Sequence, residues 1–288
     1  MIGVVLALVS AAAYGMSDFL GGIASRRVAA LRVVIVSYPI SAVIIAGAAA
    51  FVGGEFSWRS MLFGAASGIV MALAMWWFYI ALAEGPMSVV SPLTAVIVAG
   101  IPVIVGVVSG ERPSAISYGG IALALVAVIL VSREPPGVVD HTVSGARAPR
   151  FTRRVGWFTV GAGVCFALSF VFTHEIEVGT GLWPLVVART VATVLVLAVA
   201  AGTGQLVTPP RDIVGFAVLV AVLDVIGTVT TLYALQAGLL SLASVLIALY
   251  PAVTVVLAVL VLKERVGKVQ VWGMGLALAA IVAIALNG

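Results

Sequence analysis

Three charged residues interrupt otherwise apolar stretches of the chain: Asp18, Arg189 and Asp224. A charge near the middle of a bilayer costs about 2.5–3.5 kcal/mol on insertion scales, so such residues face a cavity or an oppositely charged partner. Two carboxylates and one guanidinium could hold a substrate amine, exchange protons or pair with one another. These three residues are therefore the first candidates for a functional site.

Polar residues accompany both acids at helical spacing. Tyr14 lies one turn before Asp18, while Thr228 and Thr231 lie one and two turns after Asp224. Such polar stripes are expected to face a cavity. If helix one starts later or ends earlier than expected, Asp18 instead lies near the membrane surface and is solvated. Arg189 follows Trp183-Pro184 by one and a half turns, which also leaves it open as an interfacial anchor or a substrate ligand.

Aromatic and hydroxyl side chains form a second group of candidates. Aromatic rings could line a substrate pocket, but Trp and Tyr are also common at membrane interfaces. Serines in the fourth and ninth apolar runs could bind substrate or only permit close helix packing. The candidates for substrate contact in this group are Ser17, Trp76, Trp77, Tyr79, Ser91, Thr94, Tyr233, Ser244 and Tyr250.

The composition requires a membrane to hold these residues. Of 288 residues, 63% are apolar and 9% charged, against about 25% charged in soluble domains. Each crossing needs about 20 mainly apolar residues, and ten such runs can be read, with short loops between them. We predict an all-α integral membrane protein whose N-terminus, lacking a basic segment, is the first membrane helix rather than a cleavable signal. The runs are 2–25, 31–52, 60–83, 87–109, 115–132, 155–174, 182–202, 212–236, 239–262 and 268–286.

The residue inventory argues against several classes of function. The single cysteine, Cys165, allows no intrachain disulfide and no cysteine-based metal site, and the two histidines are far apart in sequence. No G-x-x-x-x-G-K-[ST], H-E-x-x-H or G-x-S-x-G segment occurs. The net charge of +4 fits anionic lipid headgroups and forms no basic stripe. We expect no enzyme, no metal, no cofactor and no nucleic-acid partner.

The two halves of the chain resemble each other. A shift of 153 positions aligns residues 80–131 with 233–284 without a gap and gives 17 identities in 52 positions, including Glu111-Arg112 with Glu264-Arg265. We predict one five-helix repeat over 1–132, a charged linker over 133–154 and a second repeat over 155–288. Because five crossings is an odd number, the second repeat must be inverted relative to the first.

The repeated motifs carry a family resemblance. Each half has small-Ser-x-x-Ser in its fourth helix, a closing Glu-Arg pair and a Gly in its fifth helix, and Tyr14-Gly15-Met16-Ser17 resembles an aromatic-Gly signature in helix one. Pro251 lies at a typical family position, whereas the first half has Val98 there and prolines at 92 and 102, and we expect all three prolines to interrupt helices. The chain resembles the drug/metabolite transporter superfamily, in its ten-helix EamA-type branch, and is similar to that branch's aromatic-amino-acid exporters.

The resemblance implies a cavity enclosed by helices one to four and six to nine, with helices five and ten peripheral. It favours a secondary carrier that exports amino acids or related small metabolites by alternating access, in the bacterial inner membrane, as a monomer or homodimer. A carrier for nucleotide sugars or cationic drugs stays open as an alternative, since the membrane acids also suit a cation. A membrane-embedded enzyme or a channel is less well supported, because no catalytic or filter motif is visible.

The distribution of positive charge predicts the orientation of the chain. Loops after odd-numbered helices contain 12 of the Lys and Arg residues, and the other loops contain 2, Arg59 and Arg112. By the positive-inside rule the linker is cytoplasmic and both termini are outside, although many relatives have cytoplasmic termini. A C-terminal fusion to a reporter that fluoresces only in the cytoplasm is therefore expected to stay dark, and bright cells would reverse this orientation.

Overall fold

The computed structural model describes residues 1–25, 27–85, 87–132, 151–207, 210–262 and 267–287. Within these ranges it leaves undescribed the side chains at 25, 30, 79, 83, 87, 88, 91, 92, 212 and 287. The described residues form eleven helices and no strand, as expected where the bilayer offers backbone groups no water to bind. The helices are α1 (Ile2–Ser25), α2 (Ala30–Val52), α3 (Trp58–Glu84), α4 (Met87–Val108), α5 (Ala115–Val131), α6 (Arg153–His174), α7 (Trp183–Gly202), α8 (Arg211–Ala237), α9 (Leu240–Ile247), α10 (Tyr250–Leu262) and α11 (Lys268–Asn287).

These helices make the ten predicted crossings. Within the described residues, eight spans are long and apolar enough to cross a membrane, and the shorter apolar helices Leu93–Val108 and Ala115–Val131 provide two more. The ninth crossing is the pair α9 and α10 in series. The prediction of an all-α membrane protein with ten crossings is confirmed.

Prolines affect the helices differently from the sequence expectation. α4 runs continuously through positions 92 and 102, so the expected interruptions there are wrong. The ninth crossing does break, at Ala248 and Leu249. Pro251 has no N–H to donate to the carbonyl of Ile247 four residues earlier, which accounts for the break.

Contacts between the halves follow the internal repeat. Helix α1 packs on α8, and its counterpart α6 packs on α3; α2 packs on α8 as α7 packs on α3. Helix α1 also packs on α9 and α10, as α6 packs on α4, and the fifth helices of the two halves, α5 and α11, pack on each other. Each of these contacts recurs with the halves exchanged, as a two-fold arrangement of inverted repeats requires.

Glycines allow close approach at several of these contacts. Gly64 and Gly68 of α3 lie against the backbone of Pro184 and Ala188 in α7, where an added Cβ would meet a carbonyl oxygen. This Gly-x-x-x-Gly pair therefore packs two helices together, as such pairs do in membranes. The second pair differs, since Gly106 makes room for the carboxylate of Glu111, which follows the turn at the end of α4.

At one end of the bundle, a carboxylate of the first repeat binds to the start of a helix in the second repeat. We call the end with Ile2 and Asn287 the terminal end, and the end with Val131 and Arg153 the linker end. At the terminal end, the Glu111 carboxylate accepts hydrogen bonds from the first two backbone amides of α9, those of Leu240 and Ser241. These amides have no partner within the helix, and the positive end of the helix dipole attracts the carboxylate.

The packing at Gly68 gives a prediction about stability. Gly68→Ala places a methyl group against the carbonyl of Ala188, a backbone atom that cannot rotate away. We expect a loss of about 1–3 kcal/mol, as for other overpacked contacts. The measurement is thermal unfolding in detergent, with Gly47→Ala as the control because nothing lies within 4 Å of a Cβ there. Equal unfolding temperatures for the two variants would contradict this packing.

Candidate substrate site

The centre of the site is a buried ion pair between consecutive helices. Nη2 of Arg189 in α7 lies 2.6 Å from Oδ2 of Asp224 in α8, and the two side chains are 5% and 16% exposed. Pairing between the membrane charges was one of the roles that the sequence left open for these residues. Arg189 therefore points into the bundle, and the interfacial anchor considered for it is wrong.

Neighbouring side chains hold the guanidinium in place. Its Nη2 also donates to Oγ1 of Thr228 over 3.0 Å, and its Cζ lies 4.7 Å from the ring centroid of Tyr38 in α2. An aromatic face attracts a cation, most strongly where water is excluded. Three helices thus fix the position of one guanidinium.

Hydroxyl groups extend this arrangement to α1. The hydroxyls of Tyr14 and Thr228 are 3.2 Å apart, and those of Ser10 and Thr231 are 2.7 Å apart. Ser10 also donates to the carbonyl of Gly227 over 3.0 Å. Because α1 and α8 belong to different repeats, the polar cluster lies on the contact between the two halves.

A small internal cavity adjoins the cluster. Its volume is about 50 Å³, and its walls come from α1, α3, α6, α7 and α8. Arg189 is the single charged residue among the described side chains that line it. The polar lining residues are Tyr14, Ser67, Ser169, Arg189, Thr173, Thr228 and Thr231.

Asp18 lies on the inward stripe of α1 but is exposed. Ala7, Ala11 and Tyr14 share its helical face, and the two alanines are buried at 0% and 3% exposure. Asp18 lies in the half of α1 nearer the linker end.

Other predicted site residues occupy varied positions. Trp76 is 42% exposed, and the Trp77 ring packs against Gly161 of α6. Tyr233 packs against the apolar cluster that includes Ile45 and Leu182. None of the three lines the 50 Å³ cavity.

The hydroxyl candidates are similarly divided. Thr94 donates to the carbonyl of Val90, and Ser244 donates to that of Leu240, so each bonds within its own helix. Ser17 donates to the carbonyl of Val220 over 3.4 Å. The backbone at Tyr250 lies against Gly15. The side chains of Tyr79 and Ser91 are outside the described part of the chain.

Several residues at the centre were not singled out from the sequence. They are Ser10, Tyr38, Ser67, Ser169 and Thr173. Spacing offered a signal for two of them, because Ser10 precedes Tyr14 by four residues and Ser169 precedes Thr173 by four. Tyr38 had no such signal, since a single tyrosine near a helix end resembles an interfacial anchor.

A larger cavity, of about 390 Å³, lies at the terminal end beside the turn between α8 and α9. Its lining includes Arg112, Ser114 and Gly238 but none of the predicted site residues. The buried ion pair and the hydroxyl cluster favour the smaller cavity as the functional site, in spite of its size.

The model of the EamA-like transporter family matches residues 1–133 and 155–286. The chain belongs to this family. Its members are membrane transporters of the drug/metabolite type, and the chain is accordingly a multi-pass membrane protein of a transporter family.

Two known proteins are similar to this chain. An uncharacterized protein of Methanocaldococcus jannaschii is 30% identical over 106 residues, which is 37% of this chain and 77% of that protein. A protein of known crystal structure matches with a TM-score of 0.73 at 14% identity, over 99% of this chain and 95% of its own. At that identity the likeness shows the fold alone.

The buried ion pair predicts strong coupling between its members. Arg189→Met or Asp224→Asn alone leaves one buried charge without its partner and is expected to cost about 3–5 kcal/mol, while the double variant costs less than the sum. A double-mutant cycle on thermal stability in detergent measures this coupling.

The matched control is the exposed pair of Arg59 and Glu175, whose side chains are 59% and 40% exposed. Its coupling, from Arg59→Met and Glu175→Gln, is expected at about 0.2–1 kcal/mol. Strict additivity at Arg189 and Asp224 would show that the two groups do not interact.

Proposed function

We propose that this protein is a secondary carrier that exports amino acids or related small metabolites across the cell membrane, in bacteria the inner membrane, by alternating access. The observation that carries the proposal is the buried Arg189–Asp224 pair, adjoining a cavity at the contact between the two repeats. Two opposite charges in a low-dielectric interior are costly to maintain, so their presence there favours a role in binding over a role in stability.

The inverted repeats support alternating access. In such carriers the substrate site lies between the halves, and the halves rock to open it on either side in turn. The Tyr14–Thr228 contact lies between the halves, because Tyr14 belongs to one repeat and Thr228 to the other. Thr228 also accepts a hydrogen bond from Arg189. A shift between the halves would therefore alter the site directly.

Contacts between the two repeats are present at both ends of the bundle. At the terminal end Glu111 bonds to the N-terminus of α9, Arg59 pairs with Glu175 at 2.7 Å, and Ser57 bonds to Glu177. At the linker end Arg154 pairs with Glu84 at 3.2 Å. Asp18 is exposed in the half of α1 nearer the linker end, so a solute from that side would meet its carboxylate first.

The charges suit an amino acid. An ammonium group would bind to the accessible carboxylate of Asp18, and a carboxylate would bind to the guanidinium of Arg189. Met71, Phe170 and Leu185 form the apolar part of the cavity wall. Nucleotide sugars and cationic drugs stay as alternatives within the carrier class.

Transport assays test the role of Asp18. Purified protein in proteoliposomes is expected to move members of a panel of radiolabelled amino acids, and Asp18→Asn is expected to change both the rate and its dependence on pH between 5.5 and 8. The reason is that an accessible carboxylate can take up a proton or hold an amine, whereas the amide can do neither.

The matched control is Glu55→Gln, which removes an exposed carboxylate from the loop between α2 and α3 and should leave transport unchanged. If Asp18→Asn transports like the parent over the whole pH range, Asp18 has no part in coupling or binding. If no solute on the panel moves, the proposed substrate class is wrong.

A further inference from the structure

One nitrogen of the buried guanidinium has no hydrogen-bond partner among the described residues. Nη2 of Arg189 contacts Asp224 and donates to Thr228, whereas Nη1 is buried and donates to no described residue. A buried donor left without an acceptor costs about 1–3 kcal/mol, and such groups are rare in native proteins. Its free donors therefore indicate a position where an acceptor belongs in another state of the protein.

The cavity beside this nitrogen is suited to an anion. Arg189 is its single charged lining residue among those described, and Asp224 lies outside the lining. The Tyr14 hydroxyl can donate a hydrogen bond to a ligand oxygen, because Thr228 can act as the donor in the bond between the two. A fixed positive charge beside a hydroxyl donor attracts an anionic group with acceptor oxygens.

The volume limits how much of a solute can enter. A cavity needs about 10–15 Å³ to hold one water molecule, so 50 Å³ accepts a small head group but not a whole metabolite. Because Nη2 is occupied by Asp224 and Thr228, Nη1 is the guanidinium nitrogen left to donate to a ligand oxygen. Among common anionic head groups, a carboxylate is small enough to fit a cavity of this volume.

We propose that this cavity is a carboxylate-binding subsite, in which Nη1 of Arg189 and the hydroxyl of Tyr14 hold the carboxylate of the substrate while Nη2 stays paired with Asp224. The inference rests on the proposed function and narrows it, because the carboxylate becomes obligatory for recognition. Asp224 then serves as a positioning residue that keeps the guanidinium aimed into the cavity.

In this proposal the two sides of the Arg189 guanidinium have different roles. Asp224 neutralises the guanidinium in the empty protein, since an unpaired Arg in the membrane would be too costly. The unused face of the guanidinium remains available for a second acceptor. A substrate that lacks the carboxylate, such as an amide or an amine, leaves Nη1 unsatisfied and loses the binding energy of that contact.

The experiment uses matched solutes that differ only at this group. L-phenylalanine, L-phenylalaninamide and 2-phenylethylamine form one set, and L-leucine, L-leucinamide and isoamylamine form another. Each is measured as a competitor of transport in proteoliposomes and as a ligand that raises the unfolding temperature of the purified parent protein. The acid in at least one set is expected to act at concentrations at least tenfold lower than its amide and its amine.

The variant Arg189→Lys keeps a positive charge but has one nitrogen, which cannot serve both Asp224 and a ligand as Nη2 and Nη1 do, so preference for the acid is expected to fall below threefold. Arg59→Lys, the same change in an exposed ion pair, is expected to keep the full preference. Unchanged preference in Arg189→Lys would overturn the subsite.

The parent protein tests the inference even if the variant does not fold. Amides or amines that compete as well as the acids would overturn the carboxylate subsite and leave a carrier of another specificity. If neither transport nor thermal stabilisation is seen with any acid, both the subsite and the proposed function are wrong.

Discussion

The central constraint on this structure is that a charged guanidinium within a lipid bilayer needs an oppositely charged partner. Arg189 meets it by pairing with Asp224 at 2.6 Å on the next helix. The pair in turn requires α7 and α8 to be adjacent at that level, and it requires α2 to present Tyr38 to the guanidinium. Hydroxyls of α1 then complete the polar cluster, so four helices are positioned around one charge.

Small residues make such an arrangement possible. In lipid there is no hydrophobic force between helices, so packing and polar contacts must hold them together. Gly64 and Gly68 let α3 approach α7 closely, and Gly227 lets the ring of Tyr14 lie against α8. A side chain at position 227 would displace the Tyr14 ring, whose hydroxyl lies 3.2 Å from that of Thr228. The apolar surfaces of the same helices remain exposed to lipid.

Much of this could be predicted from the sequence. Apolar runs of about 20 residues located the crossings to within a few residues, because the thickness of the bilayer fixes their length. Asp18, Arg189 and Asp224 stood out because charges are so rare in such runs. The partners of Arg189 were harder to identify. Tyr38 precedes it by about 150 residues, and no local pattern reveals a contact at such a distance.

Other expectations failed for identifiable physical reasons. Three prolines were expected to interrupt helices, but neighbouring helices in a membrane can satisfy the carbonyls that a proline frees, and α4 continues through two of them. The role of Trp76 stays a prediction, because a tryptophan can line a pocket or face lipid and an exposure of 42% fits both. Sequence type alone does not distinguish these two surroundings.

The pairing of α1 with α8 also has a consequence for how the protein is made. Ser10 bonds to Gly227, 217 residues later in the chain. At about 5–20 residues per second, a ribosome needs roughly 10–40 s to synthesise that stretch. Throughout this interval the first helix is in the membrane without the partner for its serine and tyrosine hydroxyls. Until α8 arrives, the hydroxyl of Ser10 can bond to a carbonyl of its own helix, as other hydroxyls of this chain do, so the contact between the two repeats is completed only late in translation.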